Sequence, residues 1–108
     1  MDEDRKKVRE IEEKAKNILT KVFDPEIPVN IYDLGLVYEV KATTRGEVAV
    51  LMTLTSPNCP EAESLPPEIE RRLKEDPEIT DAKVIITFDP PWERSMMSEA
   101  ARLELGMF

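Results

Sequence analysis

Apolar residues recur three and four positions apart through the first part of the chain. Val8, Ile11, Ala15, Ile18, Leu19 and Val22 form one stripe, and the spacing predicts an amphipathic helix over residues 3–22. The opposite face sets acids four residues ahead of bases: Glu3 with Lys7, Glu10 with Lys14, Glu12 with Lys16. Such pairs add about 0.2–0.5 kcal/mol each and mark a solvated face. Pro25 and Pro28 then end helical character and open DPEIPVNIYDLG, residues 24–35. Ile27, Val29, Ile31 and Leu34 make this long connection apolar enough to pack down, with a short turn of helix expected over Asn30–Leu34. Connections of this length tend to carry function.

The period then changes from helical to alternating. Leu36–Ala42 predicts a strand with Leu36, Tyr38, Val40 and Ala42 on one face and Val37, Glu39 and Lys41 on the other. Glu47–Thr55 predicts a second, with Val48, Val50, Met52 and Leu54 opposite Ala49, Leu51, Thr53 and Thr55. Thr43–Gly46 joins them as a hairpin. A third strand is expected over Asp81–Phe88. Between the second and third strands, Leu65, Ile69 and Leu73 lie four apart. That helix is expected to start near Ser64, because Pro66 and Pro67 are costly deeper in a helix, and to stop before Pro77. Cys59–Glu63 would form the turn leading into it.

The order α-β-β-α-β predicts an α+β fold, a two-layer α/β sandwich with both helices on one face of a three-stranded sheet. The chain reads as one domain over residues 1–108, with a core over about 3–89. Val37, Leu51 and Ile85 are left on the second face of the sheet. The C-terminal segment, residues 90–108, carries Trp92, Met96, Met97, Leu103, Leu105, Met107 and Phe108. It is expected to fold back over that face or to meet a partner chain, which leaves a homodimer open.

Composition removes several function classes. With 15 basic and 23 acidic residues in 108, the formal charge is −8, which argues against a nucleic-acid binder. There is no histidine, so a His-dependent triad or His-ligated zinc site cannot be built from this chain. Cys59 is the single cysteine, so there is no intrachain disulfide and no four-thiolate metal site. A charged start (MDEDRKKVRE) and the lack of a long apolar run predict a cytoplasmic protein without membrane association. No Gly-rich phosphate loop occurs. Enzymatic turnover would have to rest on Cys59 with a carboxylate or lysine partner, an uncommon arrangement.

Two groups of residues remain as candidate chemistry. Cys59 lies in TLTSPNCP, residues 53–60, after a strand and before a helix, where partial positive charge favours a thiolate. The same cysteine would serve equally as a small buried apolar residue. Asp24, Glu26 and Asp33 place three carboxylates in the first loop, suited to binding iron, orienting a thiolate or accepting a proton. They would also serve as turn-forming residues that bond nearby amides. Thr53, Thr55 and Ser56 flank the approach to Cys59 and are otherwise ordinary strand and turn residues.

Three motifs in order, DPEIPVNIYDLGLVYEV (24–40), TLTSPNCP (53–60) and FDPPWERSMMSEAARLELG (88–106), resemble the PaaD-like and SufT-like family of iron–sulfur cluster assembly proteins. The resemblance covers nearly the whole chain. It implies an iron–sulfur-assembly-type domain without established turnover, acting as an adaptor or transient cluster carrier for client proteins. It implies a site made of Asp24, Glu26, Thr55 and Cys59, with Asp33 matching the aspartate of the DLG motif and Cys59 as the metal ligand. The cofactor it implies is a transient iron–sulfur cluster shared between chains, or none. The partners it implies are iron–sulfur assembly proteins or client apoproteins. PaaD-like relatives occur beside a multicomponent ring-oxidising oxygenase, so an accessory subunit of such an enzyme, or another thiol-dependent activity, is the alternative.

Overall fold

The computed structural model describes residues 2–23, 29–55 and 61–106. Helix α1 spans Asp2–Leu19, strands β1 and β2 span Val37–Ala42 and Glu47–Met52, helix α2 spans Glu61–Lys74, and strand β3 spans Asp81–Ile86. A 3-10 turn at Arg94–Met96 and a short helix α3, Glu99–Glu104, follow. The sheet order is β1-β2-β3, with β1 antiparallel and β3 parallel to the central β2. This is the expected α+β sandwich. The parallel pair requires α2 to carry the chain back along the sheet between β2 and β3.

The core lies between the helices and one sheet face. Ile11, Ala15, Leu19 and Val22 from the first stripe and Leu65, Ile69 and Leu73 from α2 meet Val40, Val48, Val50, Met52 and Ala82. All are buried, and each large aliphatic side chain removed from water stabilises by about 1.5–3 kcal/mol. The first helix is shorter than its stripe. Regular winding stops at Leu19, and Lys21 and Val22 donate three residues back, to Ile18 and Leu19. The tightened last turn still delivers Val22 to the core.

Two sequence expectations are corrected. The second helix begins at Glu61 rather than near Ser64, so Pro66 and Pro67 sit within it. A helix leaves its first four amides without internal partners. The two prolines fall just past that point, so the start is extended at the loss of two amide donors. In β1, the register steps from Val37↔Met52 to Glu39↔Leu51. Two residues of β1 thus span one step of β2, a bulge that breaks strict alternation. Val37 shares a pair with buried Met52 and packs against the core instead of lying on the second face.

The charged face of α1 is also used differently from the expected four-apart pairing. Lys14 Nζ reaches Glu78 at 2.7 Å and Asp76 at 3.9 Å, Lys16 pairs with Glu13 at 3.9 Å, and Glu12 turns to the sheet. The hydrogen bond that Lys14 donates to Glu78, with the nearby Asp76 charge, raises the Lys14 pKa above its ordinary value. This pair's contribution is complete below the ordinary lysine pKa and fades as pH rises through the raised one. Glu12 accepts from the Ala42 amide at 3.2 Å on the outer edge of β1, and Glu70 accepts from the Val84 amide at 2.9 Å on β3. Each layer-facing helix therefore occupies an amide on the nearer sheet edge, and open edge amides invite pairing with other chains.

Glu70→Ala is expected to lower stability by about 1 kcal/mol, while Glu70→Gln keeps an acceptor and most of that stability. Urea unfolding of the two variants against wild type checks the difference.

Candidate functional site

The strand directions bring one end of the sheet together. β1 starts, β2 ends and β3 ends there, through the pairs Val37↔Met52 and Met52↔Ile86. Three backbone hydrogen bonds tie the adjoining segments to that end. The Ile31 amide donates to the Val22 carbonyl at 2.8 Å, Leu36 to Ile31 at 3.1 Å, and Thr53 to Leu36 at 2.8 Å. Phe23 and Asn30 form an antiparallel bridge at the two ends of the first loop. The end of α1, the start of β1 and the end of β2 are thus held as neighbours.

Asp33 stands in a bracketed turn at this end. The Leu34 amide donates to the Asn30 carbonyl, giving the single helical turn expected over Asn30–Leu34. Asn30 Oδ1 accepts from the Asp33 amide at 2.8 Å, and Asn30 Nδ2 donates to Asp33 Oδ2 at 2.7 Å. The Asp33 carboxylate therefore serves the turn, as a reciprocal cap does at a helix start. Thr55 is half-buried just beyond β2. Thr53 beside it is fully buried, with its hydroxyl 3.4 Å from the Leu54 carbonyl, a contact too long to be strong. Asp24, Glu26 and Cys59 lie outside the described residues, as does Ser56. Among the described residues, no group of three or more acidic, histidine or cysteine side chains is arranged to hold a metal ion.

Several residues that build this end were not singled out from the sequence as its framework. Among the described residues, the C-terminal segment leaves part of the second sheet face open. It packs against the 29–35 turn, and Ile85 on that face stays 45% exposed. Trp92 Nε1 donates to the Leu34 carbonyl at 2.7 Å, the Tyr38 hydroxyl donates to the Pro90 carbonyl at 2.7 Å, and the Ser98 amide donates to the Asp33 carbonyl at 2.8 Å. Ser98 caps α3 by accepting from the Ala101 amide, and Met97 and Ala101 are buried. Gly35 has φ +80° and faces the Met96 backbone so closely that a Cβ would overlap it. Two local signals were available: Asn30 three residues before Asp33, and Ser98 followed by Glu99. The long-range contacts had none, because nothing local states which surface Trp92 meets.

The family described as iron-sulfur cluster assembly protein matches residues 12–86 of the chain. A relative from Porphyromonas gingivalis, named Fe-S protein maturation auxiliary factor, is 46% identical over 88% of this chain and 90% of its own length. A Staphylococcus aureus relative, named Fe-S protein maturation auxiliary factor SufT, is 43% identical over 80% of this chain and 98% of its own. The crystal structure of a domain of unknown function from Bacillus anthracis superposes with a TM-score of 0.88, at 34% identity, over 94% of this chain and 96% of that one. No described helix is long and apolar enough to cross a membrane.

Gly35→Ala is expected to push the Met96 strand of chain off the turn. Trp92 is the only tryptophan. Its emission should shift to the red at unchanged helix content, and an unshifted spectrum would contradict the contact.

Proposed function

We propose a maturation role for this chain, which belongs to the iron–sulfur cluster assembly protein family and is SufT-like. It acts as an auxiliary factor that helps deliver iron–sulfur clusters to client apoproteins, as an adaptor or as a transient carrier. The observation that carries this reading is the near full-length likeness to relatives named as iron–sulfur maturation factors.

Cys59 is the residue proposed to do the chemistry. Helix α2 begins at Glu61, two residues after Cys59 in sequence. A thiol just ahead of a helix start is held by free amides and partial positive charge, which favours the thiolate and hence a bond to iron. The earlier start of α2 supports this more than a start at Ser64 would. Asp24, Glu26 and Thr55 are proposed to complete the site, with Asp33 shaping it through the Asn30 turn. The tied ends of the flanking segments support their proximity: Val22, Ile31, Leu36 and Thr53 lie in one run of backbone hydrogen bonds. The chain is proposed to act as one unit in which the segment after Phe88 braces this end.

One thiolate cannot hold a cluster, since such centres take about four cysteine ligands. A cluster would be shared with a second copy, a partner or a small thiol, and handed on. Assembly proteins and client apoproteins are the proposed partners, and the cytoplasm the proposed compartment.

Anaerobic incubation with ferrous iron and sulfide should give the wild type a labile visible chromophore that Cys59→Ser lacks. The same substitution should fail to restore iron–sulfur enzyme activity in a bacterium deleted for its own maturation auxiliary factor. A colourless wild type that still restores activity would identify an adaptor. A wild type that restores nothing would end the maturation reading.

A further inference from the structure

We propose that Glu70 guards the outer edge of β3 against strand pairing with a second copy of this chain. The inference concerns the sheet rather than the candidate site and stands apart from the maturation reading.

β3 is an edge strand, with β2 on one side only. The Thr87 amide donates to the Met52 carbonyl, continuing the parallel pairing. Backbone groups along a strand point alternately to its two sides, so the amides of Ala82, Val84 and Ile86 face away from β2. A row of outward amides is a template for another strand. Glu70, half-buried on α2, accepts from the middle amide of the three at 2.9 Å. A carboxylate is the stronger kind of acceptor, and holding the middle amide leaves only isolated ones on either side.

The residues of β3 make this the edge that needs a guard. Val84–Phe88 reads VIITF, with no charge, proline or glycine. Uncharged segments rich in β-branched and aromatic residues are the ones that pair between chains. Ile85 is 45% exposed and Phe88 41% exposed. The opposite edge strand, β1, carries Glu39 and Lys41, charges that by themselves discourage pairing. β2 also lies in an uncharged run, but it is paired on both sides.

The outward amides fix the register of the pairing that Glu70 prevents. Two copies of β3 antiparallel about Val84 set Ala82 against Ile86 of the second copy and Val84 against Val84, each pair exchanging both hydrogen bonds. Lys83 then falls opposite Ile85 and Asp81 opposite Thr87, so no like charges meet. The central pair uses the amide that Glu70 occupies, and it must be released in both copies.

The test is sedimentation of the full chain from about 10 μM to about 1 mM. Wild type and Glu70→Gln, which keeps an acceptor, should remain monomeric. Glu70→Ala should self-associate, with a dissociation constant at least about tenfold below that of wild type. Glu12→Ala frees the Ala42 amide on the charged β1 edge and should stay monomeric, which separates an open β3 edge from lost stability alone. Adding Ile85→Lys to Glu70→Ala sets a lysine opposite Lys83 of the second copy. That should restore the monomer without restoring the hydrogen bond. In associated Glu70→Ala, hydrogen exchange at Ala82 and Ile86 should slow. The proposal is overturned if Glu70→Ala stays monomeric, if Glu12→Ala associates as strongly, or if Ile85→Lys leaves the association unchanged. It is equally overturned if the wild type itself pairs through these amides.

Discussion

Leu36 is the joint on which the candidate site's end of the sheet depends. Its amide donates to Ile31 and its carbonyl accepts from Thr53, so it couples the intervening turn to the end of β2, and the Ile31 amide carries the link on to Val22 after α1. Ile31, Leu34 and Leu36 are all fully buried. Water has little access to the amides among them, and each left unpaired would cost about 1–3 kcal/mol. Each bond made adds only about 0.5–1.5 kcal/mol net. The helix–sheet core therefore supplies most of the stability, and the amide pairings decide the geometry.

That division explains which parts of the molecule were legible. The stripe from Ile11 to Val22, the alternation of Val48, Val50 and Met52, and the spacing of Leu65, Ile69 and Leu73 are records of burial, and burial is periodic. The order of elements and the layering follow from them. The bulge at Tyr38 is not periodic: it interrupts the pattern and moves Val37 to the core side. Pro66 and Pro67 misled because proline's cost was weighed without knowing how far upstream the helix starts. Glu12 and Lys14 have well-spaced helical partners, yet an edge amide and an acid 64 residues away hold them instead. A tertiary partner outweighs an i,i+4 pair worth a few tenths of a kcal/mol.

The candidate site was legible unevenly for the same reason. Asp33 was read as either a ligand or a turn former, and the Asn30 bracket shows it engaged in the turn. Thr55 lies beyond β2, which ends at Met52 rather than at Thr55 as the alternation suggested. The bracing of this end by Trp92 and Ser98 was out of reach, because their partners are backbone carbonyls of Leu34 and Asp33, which carry no side-chain signature. At Gly35 the backbone conformation did leave a sequence mark, a glycine at positive φ beneath the Met96 backbone.

Topology then accounts for why chemistry would gather at this end. β3 runs parallel to β2, so the crossover through α2 must leave from the carboxyl end of β2. Ligands in sheets with such crossovers tend to sit beyond the carboxyl ends of strands, where connections are free to vary. The loop after α1 is held to the same end through Val22 and Ile31. The proposed site draws on this arrangement: a thiol following β2 and carboxylates following α1 would come from different parts of the chain without any change to the core. The proposed role is then one of handover rather than retention, because completing the coordination would require ligands from another molecule.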